Sequence, residues 1–220
     1  MFIEVVDAFR CTRPHELTWL VAQADRLEDR DIITGALGCP ICGARYPIAA
    51  GVADFRAAAA AAAAARRSPP SPAPPAPDLA ERALRVAALL GLTESGGLVV
   101  LAGAWADAAH EVAALVDGIH VLAIDPASHV SSGFGVSVAR ADDTLPLRPG
   151  AVRGVALDAA HATAPFVETS VAALRPTGRL LAPAAAPVPP GIVERARDAS
   201  DWLGEKHELT TLARAAHPSG

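Results

Sequence analysis

An α/β fold with a mostly parallel, doubly wound sheet, preceded by a small metal-stapled unit, is what this sequence predicts. Three observations carry the prediction. Short apolar runs alternate with helical periodicities across residues 78–220. A Cys-Pro-Ile-Cys pair, Cys39 and Cys42, sits within the first 56 residues, too few to hold a core without a staple. Between the two regions the composition breaks abruptly, first into alanine and then into proline. The expected organisation is therefore a ribbon-like unit at residues 1–56, an Ala/Pro-rich linker at 57–77, and an α/β unit at 78–220.

In the first unit the 23 residues between His15 and Cys39 suit a hairpin, "LTWLVAQADRL" followed by "RDIITGALG", although the first run also has helical character. Ala57–Ala65 is pure alanine, a short helical stalk by propensity. The following "RRSPPSPAPPAPD" lacks amide donors and should be an extended spacer. It reads as an inert linker, with a proline-motif docking site as the alternative.

The α/β unit opens on a helix. Asp78 suits its N-cap with Glu81 three positions later, and Leu79, Leu84, Val86, Ala87 and Leu90 recur near helical spacing before Gly91 stops it. Strands are expected at Leu98–Ala102, His120–Asp125, Gly135–Ala141, Arg153–Asp158 and Gly178–Pro183. Helices are expected at Asp107–Val116 and in "PFVETSVAALRP". Such alternation gives a parallel sheet covered on both faces. Beyond it, only "HELTTLARAAH" offers one further edge strand, short of a terminal hairpin.

Bulk properties narrow the function. The chain has 220 residues, 51% hydrophobic but only 4% aromatic, so its core is built from Ala, Val and Leu. A net charge of -5 gives no general footprint for nucleic acid and favours small-molecule or protein partners. No window holds the ~20 uninterrupted apolar residues of a membrane span. Glu4 and Asp7 stand where a signal peptide carries positive charge. Three cysteines, an odd number, point to reduced thiols, and the expected location is cytoplasmic.

Cys39 and Cys42 form one knuckle, with Pro40 and Gly43 shaping a tight turn. Zinc takes Cys and His in tetrahedral sets of four. Upstream, "CTRPH" supplies Cys11 and His15, so the expected set is Cys11, His15, Cys39 and Cys42. His15 is its least conventional member, and Asp7, Glu16 or water remain alternatives for the fourth ligand. A redox pair needs a helix after the cysteines to lower a thiol pKa, and none is evident. A three-ligand catalytic zinc lacks a general base beside it.

"GCPICGARYPIAAGVADF" resembles the C-terminal half of the small zinc-ribbon family that activates methyltransferases. The shared pattern is Cys39, Cys42, Tyr46, Pro47, Ile48 and Gly51; the departure is His15 in place of a second upstream cysteine. Family members pair with a methyltransferase through an edge strand and an apolar surface. The resemblance implies that here the partner lies in the same chain, or that the ribbon meets another protein.

Residues 79–183 in turn resemble class I S-adenosylmethionine-dependent methyltransferases. "VVLAGAWAD" stands at the Gly-rich turn, "LAIDPAS" places Asp125 at the end of the second strand, and "AALRPTGRLLAP" resembles the lead into the fifth. The resemblance implies that Gly103, Asp125, and Asp142 or Asp143 hold S-adenosylmethionine, at strand carboxyl ends near the switch point of the sheet. Departures accumulate, however. Trp105 and Asp107 replace two glycines, Leu101 replaces an acid, Arg153 replaces the acid opening strand four, and Thr177 replaces a glycine. His161 falls on the acceptor side or is a satisfied histidine. The other histidines show no metal spacing, and no nucleophile elbow or phosphate-binding loop appears. Two functions are therefore expected to compete: methyl transfer, achieved mainly by orienting cofactor and acceptor, or a catalytically inactive scaffold stapled by zinc.

Overall fold

A computed structural model describes residues 1–56, 79–127 and 130–207. The linker at 57–77, the cap residue Asp78 and most of "HELTTLARAAH" lie outside the described residues.

After a 3-10 turn at Ile3–Ala8, the chain forms β1 (Val21–Glu28), β2 (Asp31–Gly38), β3 (Arg45–Ala49) and β4 (Val52–Asp54). Then follow α1 (Leu79–Leu90), β5 (Leu98–Ala102), a second 3-10 turn (Gly103–Ala108), α2 (Ala109–Leu115), β6 (His120–Ile124), β7 (Val136–Arg140) and β8 (Val152–Ala156). The chain continues through α3 (Ala164–Ala173), β9 (Leu174–Pro183), β10 (Ile192–Arg197) and β11 (Asp201–Lys206). The expected hairpin before Cys39 is β1–β2.

All the strands join one sheet in the order β1-β2-β3-β4-β7-β6-β5-β8-β9-β11-β10. From β7 to β9 the pairing is parallel, with its reversal of direction between β5 and β8. The terminal β10–β11 hairpin returns antiparallel to β9. This is the class I methyltransferase sheet. It corrects the expectation of a missing terminal hairpin, because the two closing strands lie upstream of the run first singled out. Trp202 on β11 is wholly buried and donates its indole N–H to Ala186 O at 2.9 Å.

Strict alternation sorts the central strands onto two cores. Val99, Leu101, Val121, Ala123, Val136 and Val138 face α1 and α2. Val100, Ala102, Leu122, Ile124 and Ala139 face the opposite side, in one cluster with Phe166, Val167 and Ala173 of α3. The crossovers on either side of β7 carry no helix among the described residues. The N-terminal segment fills that space: Met1, Val5, Val6 and Phe9 join the same apolar cluster as Leu122, Ile124, Leu145 and Leu147. Arg10 N–H donates to Pro146 O and Arg148 N–H to Ala8 O, so the segment is also bonded to the chain beneath it.

The N-terminal segment is thus built into the sheet. β4 lies parallel to β7, with Ala53 opposite Ala139, and Phe55 N–H extends the ladder to Arg140 O at 2.8 Å. Pairing satisfies what would otherwise be the open edge of β7. Phe9 packs on Phe55, and Phe55 on Tyr46, each at 4.8 Å between ring centroids. At the other end of the contact, Phe2 stacks on His120 at 5.0 Å. Phe2 N–H donates to the buried Ser137 Oγ, which also lies 3.0 Å from His120 Nε2. Burial pushes His120 down to about 4, so this junction holds a neutral imidazole.

Candidate functional site

The chain places Cys11, His15, Cys39 and Cys42 together, with their ligand atoms all within 4.8 Å of one another. Cys39 and Cys42 belong to the turn between β2 and β3. Cys39 N–H bonds Ala44 O, Gly43 N–H bonds Cys39 O, and Gly43 takes φ +69, a left-handed conformation that suits glycine. Cys11 is set by pairing of Arg10 with Trp19 and by the Tyr46 hydroxyl, 3.2 Å from its sulfur. The same hydroxyl accepts the Thr12 N–H at 3.0 Å. Tyr46 therefore positions the upstream knuckle, a role that motif position alone did not disclose.

Two of the spacings match a tetrahedral ion. Zinc with bonds near 2.3 Å to sulfur and 2.0–2.1 Å to nitrogen separates two sulfurs by about 3.8 Å, and sulfur from nitrogen by about 3.5 Å. Cys11 and Cys42 sulfurs are 3.7 Å apart, and His15 Nε2 is 3.4 Å from the Cys39 sulfur. His15 Nδ1 lies 2.6 Å from Glu16 O, where an Nδ1–H would donate and leave the Nε2 lone pair aimed at the sulfurs. Burial pushes the Cys39 thiol up, but the amides of Cys42 and Ile41 outweigh it and bring it to about 7. The donors fit a Cys3His metal site.

The carboxyl ends of the parallel strands hold the second group. Gly103 follows β5 with φ +61, and Asp125 follows β6 with φ +44. Asp158, two residues past β8, reaches across the switch point. Its Oδ2 accepts the Ala104 N–H at 3.0 Å, and its Oδ1 accepts from the His161 and Ala160 amides at 3.1 Å each. The His161 ring lies between the two acids, with Nδ1 2.7 Å from Asp158 Oδ1 and Nε2 3.6 Å from Asp125 Oδ2. Asp125 Oδ2 also accepts the Ala141 N–H at 3.1 Å.

Electrostatics agree with this geometry. Burial opposes the charge of His161, yet its bonds to Asp125 and Asp158 hold it up at about 9. Burial likewise raises Asp158, but the hydrogen bond from His161 and the Ala104 amide hold its carboxyl below the ordinary range. Because the folded pKa of His161 exceeds its ordinary 6.5, its stabilisation is complete below about pH 6.5 and disappears as pH rises through about 9. The span corresponds to about 3 kcal/mol at most. Thermal melts across pH 6–10 should show this decline, and His161→Gln should flatten it.

The structure therefore brings Gly103 and Asp125 to the expected rim, but together with Asp158 and His161. Asp142 and Asp143 line a groove of about 570 Å³ beside Arg13, Arg45, Tyr46 and Arg56, where the N-terminal segment meets the chain after β7. Arg56 is raised chiefly by its bonds to Asp54, then by the charges of Asp54, Asp125 and Asp142, so the groove adjoins the rim. Trp105 packs on the α1–α2 side of the sheet, under the Arg85 guanidinium at 6.0 Å. The side chain against the Gly103 turn is Asp158, which sequence reasoning passed over as the end of a strand.

A Cβ placed on Gly103 would lie 1.9 Å from Asp158 Oδ2, so that carboxylate packs directly against the glycine turn. Asp125, expected to hold ribose hydroxyls, already faces His161.

No protein-family profile matches the chain, and no curated protein sequence matches it. Among solved structures it is similar to the antibiotic-resistance methyltransferase Kmr, at 15% identity over 57% of this chain and 92% of that one, with a TM-score of 0.40. It is also similar to a Haloferax volcanii complex between the Trm112 methyltransferase activator and a methyltransferase, at 22% identity over 46% of this chain and 50% of that one, TM-score 0.37. A third similarity is to geranyl diphosphate methyltransferase in complex with SAM, at 16% identity, 47% and 48% coverage, and TM-score 0.37. Strand order, rather than these likenesses, fixes the fold. Among the described residues no helix is long and apolar enough to cross a membrane.

Proposed function

We propose that this chain is a non-catalytic binding module on a methyltransferase sheet, its ribbon at residues 1–56 stapled by one structural zinc and docked on its own α/β unit at 78–220. The observation that carries the reading is the Asp158 carboxylate seated on the Ala104 amide beside Gly103. A cofactor carboxylate approaching that amide would meet a like charge already bonded there, at a cost of several kcal/mol unless one acid left or took up a proton. His161 makes departure costly, because moving Asp158 would strip a protonated imidazole of its shortest ion pair.

The ribbon supports the same reading. In the family it resembles, an activator meets its enzyme as a separate protein; here β4 already occupies the edge of β7. Zinc would be held by Cys11, His15, Cys39 and Cys42 and would supply folding free energy rather than Lewis acidity, since its donors form a closed set.

Calorimetry with S-adenosylmethionine tests the reading directly. The expected result is no saturable heat up to millimolar cofactor. A dissociation constant tighter than about 1 mM, or about 4 kcal/mol of binding free energy, would sink it and restore methyl transfer as the function.

A further inference from the structure

The opposite rim of the sheet, at the amino end of β8, carries a feature that neither the metal cluster nor the closed switch point uses. The register advances two residues on β8, from Val152 to Gly154, while β9 advances five, from Leu174 to Arg179. The extra residues bulge outward, and Thr177 takes φ +62, a conformation that costs a β-branched residue about 1–3 kcal/mol. Bulges of this kind re-aim side chains. Here the result is a polar pocket of about 220 Å³ into which Arg153, Arg175 and Arg179 converge, with Thr93 and Thr177 on its wall.

Three guanidiniums in one pocket are conspicuous on a chain of net charge -5. Arg153 is only 8% exposed, and its Nη1 donates to the carbonyls of Glu94 and Gly96 at 2.7 and 2.6 Å. Its nearest carboxylate is Glu94 at 3.8 Å, on a side chain that is 81% exposed. A buried cation held mainly by neutral carbonyls, with its counter-charge on an exposed side chain at 3.8 Å, is only partly compensated, and an anion would relieve it. Arg179 spends one donor on Leu89 O. Glu205, the other acid of the pocket, is 3.0 Å from Arg195 but 3.9 Å from Arg179. The Arg175 side chain is exposed at the mouth and makes no hydrogen bond or ion pair among the described residues.

We infer that this pocket binds a phosphate-class oxyanion, held by Arg153 from within and by Arg175 and Arg179 at the mouth. Guanidiniums offer paired donors that match phosphate oxygens. The volume is below the roughly 300–1,000 Å³ of sites for drug-sized ligands, so the ligand is a small ion or the terminal phosphoryl group of a larger molecule that remains outside. The inference does not depend on the closure of the cofactor rim, which lies at the other ends of the strands.

Amide NMR titration of the full chain with inorganic phosphate, at constant ionic strength set by chloride, tests it. Saturable shifts are expected at Glu94, Thr177, Gly178 and Arg179. Arg175→Ala, which removes an exposed and unbonded side chain, should weaken binding by about 10-fold or more, whereas Arg13→Ala in the distant groove should leave it unchanged. Tighter binding of glycerol 3-phosphate than of inorganic phosphate would assign the pocket to a phosphomonoester, and equal binding to the free ion. Unsaturable shifts, or binding that Arg175→Ala leaves intact, would overturn the inference.

Discussion

Cys42→Ser is expected to cost more than about 3 kcal/mol and to unfold the ribbon, although Cys42 is exposed and serine is nearly isosteric. Without a metal, so conservative a change at the surface would fall within about 0.5 kcal/mol. With one, it removes a ligand from a site whose binding free energy is folding free energy, about 10–16 kcal/mol in zinc-finger peptides. The damage should spread beyond the knuckle. Met1, Val5, Val6 and Phe9 pack in the same apolar cluster as Leu122 and Ile124, and β4 closes the edge of β7. Loss of the ribbon would therefore expose both an apolar face and a strand edge of the α/β unit, with aggregation the expected outcome. Metal analysis of the wild type should give about one zinc per chain, and a strong chelator should reproduce the melting curve of the variant. A variant that loses its zinc yet melts like the wild type would refute the structural role.

What the sequence disclosed follows from where each kind of information resides. Cys11, His15, Cys39 and Cys42 were legible because ligand chemistry is a property of residue type and spacing. The central strands were legible because burial on both faces leaves continuous apolar runs such as "LVVLA". β10 was not: apart from Ile192, its side chains all face solvent, so no alternation betrays it. The available signal was Trp202 beside Leu203, just after the polar turn "DAS". The β4–β7 pairing was invisible for a different reason. Parallel ladders between distant segments are made by the backbone, and no side chain announces the register. The sequence reads Asp158 as the last residue of the Arg153–Asp158 strand, two residues beyond where β8 stops, and its reach to the Ala104 amide depends on the crossover at β5 and β8, which only the assembled sheet supplies.

The second large effect is expected at that contact. Gly103→Ala should destabilise the chain by about 3–5 kcal/mol. Part is conformational, about 1–2 kcal/mol for a non-glycine residue at φ +61. The larger part is steric and electrostatic: the new methyl would stand 1.9 Å from Asp158 Oδ2 and 2.2 Å from its Cγ, so the carboxylate must leave the Ala104 amide and loosen from His161. Charge-assisted hydrogen bonds of this kind are worth about 1.5–3 kcal/mol each. Asp158→Ala removes the obstruction, so in urea unfolding the double variant should be more stable than the sum of the two single effects predicts, by about 2 kcal/mol or more. Additivity within about 0.5 kcal/mol would mean that the two residues do not meet, and that the glycine serves only its own backbone angle. The cycle thus decides what Gly103 is for. A glycine after the first strand of such a sheet reads as room made for a cofactor; strong coupling would mean that here it makes room for the chain's own aspartate.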